Sequence, residues 1–220
     1  MTQAIRKTAP EALAPVPFNI PRAFQTTLSN GLRVVIFEDR RLPLVSYRLA
    51  FMTGDVNDPS DSIGLTSAMA SMLSEGTENY TSLALAEKIE RLGASISASS
   101  SDDFTVIAAS ALALYNSEIL HLMSEIIFRP AFPADELDLY KRNTIENLKF
   151  QRSQPNFLAN EQTARLLYGE HPYSRVSPTA ADVEKLSSEA LSRFHNHRFI
   201  PNNAVLIAVG DVERDSLLKE

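Results

Sequence analysis

Residues 64–77 read Gly-Leu-Thr-Ser-Ala-Met-Ala-Ser-Met-Leu-Ser-Glu-Gly-Thr, and this stretch decides how the fold is interpreted. Its apolar residues recur at the i, i+3, i+4, i+7 and i+8 positions of a helix with one buried face, namely Leu65, Ala68, Met69, Met72 and Leu73. We expect Gly76 to end this helix as a C-terminal cap. Ser67 and Ser71 lie one helical turn apart and share a face, with Ala70 beside Ser71.

The two serines have the spacing of two metal ligands on one helix, but serine is not a metal-binding group of the usual kind. In a His-x-x-Glu-His helix, two imidazoles at i and i+4 bind zinc, and the glutamate between them activates a bound water. Serine and alanine perform neither function. A serine nucleophile would need a nearby base and an oxyanion hole, and the sequence shows neither. The simplest alternative is a plain polar helix face.

The residues around this helix resemble one family. Gly-Leu, the altered motif, a short apolar run and Gly-Thr are similar to the first helix of the pitrilysin/insulinase-type zinc metallopeptidases, which include mitochondrial processing peptidase. Further similar segments follow in the family's order, at residues 28–36, 92–98, 129–133, 168–173, 199–206 and 209–212. The resemblance implies that Ser67, Ala70 and Ser71 stand where the family has His, Glu and His. It places Asn147, next to Glu146, where a later helix supplies the third ligand, a glutamate.

This resemblance identifies the chain as a catalytically degenerate member of the family. One carboxylate with two serines is not a recognised zinc ligand set, so restoring Glu146 by a shift of one residue would not rebuild the site. We therefore expect no cofactor in this chain, and zinc only in a partner or in active relatives. The resemblance also implies that a peptide adds as a strand to the sheet near the degenerate helix, through main-chain hydrogen bonds.

Composition limits the remaining possibilities. The chain has 220 residues, of which 44% are hydrophobic and 22% charged, so it can form a folded domain with a substantial core. A net charge of −6 without a basic cluster argues against nucleic acid or an anionic membrane as the main partner. There are no cysteines and no apolar run long enough to span a membrane. We expect a soluble protein that is cytoplasmic, or periplasmic if a leader was removed.

The element pattern predicts an α+β fold. We expect an extended lead-in over residues 1–23 and a peptidase-like domain over 24–220, with a second, similar half beyond it. Strands are predicted over residues 24–28, 32–38, 44–53, 94–100, 104–111 and 204–209, and helices over 64–77, 82–92, 115–128, 134–151, 157–168 and 180–195. Residues 29–31, Ser-Asn-Gly, predict a hairpin, and residues 58–62 supply candidate N-caps.

Hairpins and helix pairs in this order favour an antiparallel sheet covered on one face by helices. The fold implied by the resemblance, one half of a mitochondrial-processing-peptidase-like metallohydrolase, has this form.

Other polar groups have simpler interpretations than a metal site. Glu118, His121 and Glu125 lie opposite the apolar stripe of their own helix, which is typical of a solvated face. Residues 195–197, His-Asn-His, end a helix, where cationic side chains interact favourably with the helix dipole. His171 lies in a Gly-x-His-Pro-Tyr loop, and we expect it to make a structural hydrogen bond.

Three functional interpretations remain open from the sequence. The first is the noncatalytic subunit or domain of a two-part zinc peptidase, which helps to bind peptide or unfolded polypeptide beside a homologous zinc-bearing subunit. The second is a structural or assembly protein that kept the fold, because fold alone does not determine function. The third is an active zinc-dependent endopeptidase whose ligands are supplied elsewhere. A copurifying chain with an intact His-x-x-Glu-His motif would distinguish the first from the second.

Overall fold

A computed structural model describes residues 22–219. Of the predicted lead-in over residues 1–23, residues 1–21 lie outside the described part of the chain. The strands are β1 (Phe24–Thr27), β2 (Arg33–Glu38), β3 (Leu44–Phe51), β4 (Ser95–Ser100), β5 (Thr105–Leu112) and β6 (Ala204–Gly210). The helices are α1 (Leu65–Met72), α2 (Ser82–Arg91), α3 (Asn116–Phe128), α4 (Ala134–Arg152), α5 (Pro155–Tyr168), α6 (Ala180–Glu184), α7 (Ser188–Arg198) and α8 (Arg214–Leu217). None of these helices is long and apolar enough to cross a membrane.

The six strands form one sheet in the order β1-β2-β6-β3-β5-β4. The α+β class is confirmed, but the sheet is mixed, because β2 and β6 pair in parallel while the other neighbours are antiparallel. The last strand causes this difference. After the helices, β6 returns to the sheet and inserts between β2 and β3, which run in opposite directions, so it must be parallel to one of them.

Helices cover one face of the sheet, as predicted. Along β3, the side chains of Val45, Tyr47, Leu49 and Phe51 are buried, whereas Arg48 between them is exposed. This two-residue alternation directs every second side chain into the core. All five apolar residues of the predicted α1 stripe belong to one buried cluster. The same cluster contains the buried apolar residues of α3, namely Ile119, Leu122, Met123, Ile126 and Ile127. The opposite face of the sheet carries half-buried and exposed side chains.

The predicted hairpin between β1 and β2 is confirmed. Gly31 has φ 89°, in the left-handed region that glycine adopts readily, and Leu32 N donates to Asn30 Oδ1 at 3.0 Å. The segment just before β6 also approaches this turn, since a Cβ on Gly31 would lie 2.9 Å from Asn202 Cβ. The turn therefore supports both the hairpin and the packing of the segment before β6.

Two helix predictions are wrong in their extent. The helix predicted over residues 64–77 ends at Met72, and Gly76 is not its cap but pairs with Thr81 in an isolated bridge. The helix predicted over residues 180–195 is two helices, α6 and α7. Ser187 interrupts it, because its side chain accepts a hydrogen bond from Ala190 N at 3.2 Å and so starts a new helix.

Candidate functional site

The helix with the degenerate motif is held at its start by a buried carboxylate. Asp58 accepts hydrogen bonds from Gly64 N at 2.7 Å, Thr66 N at 2.9 Å and Thr66 Oγ1 at 2.6 Å. It thus satisfies amide groups that the first helical turn leaves free, as the predicted N-cap turn required. Burial raises the pKa of Asp58, and the hydrogen bonds from Thr66 and Gly64 act in the opposite direction.

Ser67, the first degenerate position, is bound to a second carboxylate. Its Oγ donates to Asp55 and lies 3.0 Å from Oδ1 and 3.2 Å from Oδ2. Ser100, at the end of β4, lies 2.9 Å from Ser67 Oγ and donates to Asp55 Oδ1 at 3.3 Å. We call this arrangement of Asp55, Ser67 and Ser100 the carboxylate bridge. It joins the turn before α1, the helix itself and the edge strand of the sheet.

The surroundings of Asp55 disfavour the ionised form of its carboxyl group. Burial is the main cause that raises its pKa, and the negative charges of Asp58 and Asp102 raise it further. The hydrogen bonds from Ser67 and Ser100 lower the pKa and partly offset these effects. The recess beside Ser67 has a volume of only about 40 Å³. It has room for a few water molecules.

The other two motif positions on α1 differ sharply in their surroundings. Ala70 is 1% exposed and belongs to the apolar core, whereas Ser71 is exposed. Next to Ser71 lies Tyr140 of α4, whose pKa is raised by burial, while hydrogen bonds with Thr144 and Ser71 act to lower it. The position of the catalytic glutamate in the resemblance is thus occupied by a methyl group sealed from solvent.

The predicted third position, Asn147, lies on α4. Tyr140, Thr144 and Asn147 follow the spacing of one helix face, so Asn147 continues the face that contacts Ser71. Its side chain is exposed. The neighbouring Glu146 is also exposed and pairs with Lys149 at 2.7 Å. The alignment of Asn147 with the third zinc ligand stays a prediction.

The residues at these positions do not fit a zinc ion. Zinc in proteins takes thiolate, imidazole and carboxylate ligands, and Ser67, Ala70, Ser71 and Asn147 offer none of them. The Ser67 hydroxyl is already bound to Asp55. Among residues 22–219, no cluster of three or more histidine, aspartate or glutamate side chains is arranged to hold a metal ion.

The prediction that Glu125 lies on a solvated helix face is wrong. Instead of lying on a solvated face it is buried, accepting from Asn79 Nδ2 at 2.7 Å and Arg129 Nη1 at 2.9 Å. Glu118 and His121 are exposed, as expected.

Of the two histidines considered next, His195 differs from its prediction and His171 agrees with it. His195 is buried rather than placed in solvent at the helix end, and its Nε2 lies 2.7 Å from Ile127 O. Burial lowers the pKa of His195, so the neutral ring donates to this carbonyl. His171 Nδ1 accepts from Tyr173 N at 3.2 Å, which confirms the expected structural hydrogen bond.

Strand β4 forms an edge of the sheet and packs against α1. Ser101 N donates to Phe104 O at 2.8 Å, so the N–H of Ser101 points toward the β5 side. This fixes the direction of the other N–H groups along β4. Because successive N–H groups alternate in direction, those of Ser97 and Ser99 point to β5. Those of Ile96, Ala98 and Ser100 then point to the open edge. Within residues 22–219, these outward-pointing main-chain donors have no strand partner beside the degenerate helix.

Sequence reasoning missed Asp55 and Ser100. They are separated from Ser67 by 12 and 33 positions, and neither belongs to a spacing pattern that signals chemistry. The N-cap prediction covers residues 58–62 and does not reach Asp55. Close packing of the turn against the strand end brings these residues together.

Fold and site together define a peptidase-like α+β domain in which the positions predicted to match metal ligands carry groups that do not bind metal. Residues 33–176 match the insulinase family of peptidases, family M16, and the chain belongs to this family. The sequence resemblance described above is thereby confirmed.

A solved structure and two curated proteins illustrate the range of similar chains. The crystal structure of a peptidase M16 inactive domain from Pseudomonas fluorescens has a TM-score of 0.87 and 28% identity, covering 90% of this chain and 49% of that one. The alpha subunit of mitochondrial-processing peptidase from Solanum tuberosum is 27% identical over 198 residues, which are 88% of this chain and 38% of that protein. A non-peptidase homolog, YmxG, from Helicobacter pylori is 24% identical over 187 residues, 84% of this chain and 43% of that protein. The chain thus spans less than half the length of these relatives.

Proposed function

We propose that this chain is a noncatalytic member of the M16 family that binds extended polypeptide at the open edge of β4, beside a homologous zinc-bearing subunit. The observation that carries the proposal is the exposed edge strand next to a helix without metal ligands. Binding and metal activation are separable contributions to catalysis. A subunit that has lost the metal can therefore keep the binding function.

The composition of β4 supports strand addition. Edge strands commonly carry charged residues or proline, which prevent pairing with other chains. The sequence of β4 is Ser-Ile-Ser-Ala-Ser-Ser, without charge and without proline. Its outward-facing main chain can form hydrogen bonds with any extended polypeptide, because this mode of recognition requires no particular side chain.

Some of the relatives support the noncatalytic part of the proposal, whereas others bear the name zinc protease. One similar structure is described as an inactive domain, and one similar protein is described as a non-peptidase homolog. The alpha subunit of mitochondrial-processing peptidase is also similar. These descriptions apply to those proteins, and here they favour a chain that acts with a separate catalytic partner.

The binding proposal can be tested with proline at the open edge. Proline is tolerated on an edge strand where the lost N–H faces solvent. We expect Ala98→Pro to weaken binding of a permanently unfolded probe, reduced and carboxymethylated α-lactalbumin, by about tenfold or more, measured by fluorescence anisotropy. Equal affinity of wild type and Ala98→Pro would contradict binding at this edge.

A matched control exists at the other edge of the sheet. Leu28 N donates to Leu32 O at 2.8 Å, so by the same alternation the N–H of Gln25 in β1 points away from β2. Gln25 is exposed. We expect Gln25→Pro to leave the affinity for the unfolded probe unchanged. A similar loss in both variants would indicate a general effect of proline on the sheet.

The partner proposal requires a separate experiment on the full-length protein in its native host. We expect affinity purification to recover a stoichiometric chain with an intact His-x-x-Glu-His motif, and chelator-sensitive peptide hydrolysis only in the complex. Recovery of no such chain would favour a structural role. Hydrolysis by the isolated full-length protein, with stoichiometric zinc, would favour the active endopeptidase.

A further inference from the structure

We propose that Asp55 is a positioning residue, whose carboxylate holds the end of β4 against α1 and so fixes the open edge for pairing with a polypeptide strand. The first part concerns the fold of this chain, and only the second part rests on the proposed function. The side chains involved are those of the carboxylate bridge, two of which were not anticipated from sequence.

The main chain around Asp55 is joined directly to the tip of the β4–β5 hairpin. Asp55 N donates to Ser101 O at 2.9 Å, and Val56 N donates to Asp102 O at 3.0 Å. The approach is very close, since a Cβ on Gly54 would lie 2.4 Å from the carbonyl oxygens of Ser101 and Asp102. The turn before α1 therefore acts as a support for the end of the edge strand.

The side-chain bonds extend this support to the helix. Asp55 accepts from Ser67 on α1 and from Ser100 on β4, and the two hydroxyls lie 2.9 Å apart. Ser100 is the last residue of β4, and its N–H points to the open edge while its side chain is directed to Asp55. Fixing this side chain consequently fixes the direction of the neighbouring main-chain donors.

The electrostatic surroundings indicate that the carboxylate has a specific role. Asp55 is largely removed from water and lies near Asp58 and Asp102, whose charges oppose its ionisation. A carboxylate in such surroundings lowers stability unless its hydrogen bonds compensate. Here both serine hydroxyls lie within hydrogen-bonding distance of it. Both donors reach the same oxygen, Oδ1, so an amide oxygen at this position could join the same two elements without the cost of the charge.

The first experiment measures amide hydrogen exchange, without any ligand, at Ser97 and Ser99, whose N–H groups point to β5. We expect Asp55→Ala to raise their exchange rates about tenfold or more, because β4 separates more readily from the sheet. Asp55→Asn keeps an acceptor oxygen of the same shape and should restore most of the protection. Asp61→Ala, at an exposed aspartate on the same loop, is the control and should exchange like the wild type.

Unchanged exchange at Ser97 and Ser99 in Asp55→Ala would overturn the proposal. If this variant does not fold, Ser100→Ala removes only one of the two donors, and Ser100→Thr keeps a hydroxyl as its conservative partner. We then expect faster exchange in Ser100→Ala than in Ser100→Thr. Equal protection in these two variants would equally contradict a supporting role for the bridge.

The second experiment measures the affinity of the same variants for reduced, carboxymethylated α-lactalbumin. We expect Asp55→Ala to bind it about tenfold or more weakly, and Asp55→Asn to bind close to wild type. Faster exchange with unchanged affinity would overturn the link to polypeptide binding. Failure of the wild type to bind the probe would contradict the proposed function instead, and the exchange rates would then decide the first part alone.

Discussion

At the scale of single residues, the positions predicted to match the zinc motif are packed for the side chains that they carry. Ala70 is 1% exposed and packs in the core, while Ser67 donates to Asp55. A glutamate at position 70 or an imidazole at position 67 would therefore require changes to neighbouring residues as well.

The burial of Ala70 predicts the effect of placing a glutamate at position 70. We expect Ala70→Glu to lower the free energy of unfolding by about 3 kcal/mol or more, because it buries a carboxylate without a partner. Ser71→Glu, at the adjacent exposed position, should lower it by only about 1 kcal/mol, through loss of the hydrogen bond with Tyr140. Urea denaturation followed by circular dichroism measures both. Similar values for the two variants would show that position 70 has more access to solvent than the structure indicates.

A second prediction at this scale concerns His195 and pH. Burial lowers the pKa of His195 below its ordinary value, and the neutral ring donates to Ile127 O. As pH falls through about 6.5, the unfolded chain binds a proton at this residue while the folded chain does not, so stability falls. The loss levels off once pH drops below the lowered pKa of the folded state.

The measurement compares unfolding free energies near pH 7.5 and near pH 5. His195→Gln keeps an amide donor and removes the titration, so its stability should decrease less over this interval than that of the wild type. The raised pKa values of Asp55 and Asp58 contribute with the opposite sign, but they are common to both proteins and cancel in the comparison. An identical decrease in the two proteins would show that His195 does not titrate as described.

At the scale of elements, the insertion of β6 between β2 and β3 determines the sheet. The end of β6 is bound on both sides, since Asp39 N donates to Gly210 O at 2.7 Å and Asp211 N donates to Leu44 O at 2.8 Å. Gly210 has φ 123°, and a Cβ there would lie 2.0 Å from Leu44 O. No residue with a side chain fits this point without moving β3.

We therefore expect Gly210→Ala to lower the free energy of unfolding by about 3 kcal/mol or more, through both backbone strain and steric conflict. Gly93→Ala isolates the strain. Gly93 has φ 58°, and a Cβ there would meet no atom within 4 Å, so its cost should be about 1 kcal/mol. Thermal and urea unfolding of the two variants give the comparison. Equal costs would mean that β3 and β6 separate at this end without penalty.

At the scale of the whole molecule, the domain has the fold of a peptidase family. Of the positions predicted to match its zinc motif, Ala70 lies in the apolar interior, whereas Ser71 and Asn147 are exposed. Residues 33–176 match the M16 family, and the similar inactive domain covers 90% of this chain. The family relationship concerns the fold, whereas the proposed activity concerns the open edge of β4. The two can be tested independently, because one concerns metal content and the other polypeptide affinity.

The metal prediction is that the full-length protein, purified without its partner, holds well below one zinc ion per chain after dialysis against zinc at neutral pH. Inductively coupled plasma mass spectrometry measures the content. A copurified homologous subunit with an intact motif is the positive control and should retain its metal. Stoichiometric zinc in the isolated chain would contradict the proposal that this chain is noncatalytic.

The sequence by itself determined the parts that rest on local periodicity and short-range spacing. The stripe of α1, the hairpin at Asn30 and Gly31, the α+β class and the helix-covered face could all be predicted, because hydrophobic periods and turn residues act over a few positions. The shared helix face of Ser67 and Ser71 followed from the same geometry. Helix ends were less predictable, since Ser187 breaks one amphipathic pattern through a local cap.

Only the tertiary structure decided which distant groups meet. The parallel pairing of β6 with β2, the burial of Glu125 and His195, and the bonds of Asp55 with Ser67 and Ser100 all join residues far apart in the chain. Such contacts depend on how complete elements pack, and the packing energy is spread over many side chains without a local signature. The identity of β4 as an open edge has the same origin, because strand order is a property of the assembled sheet.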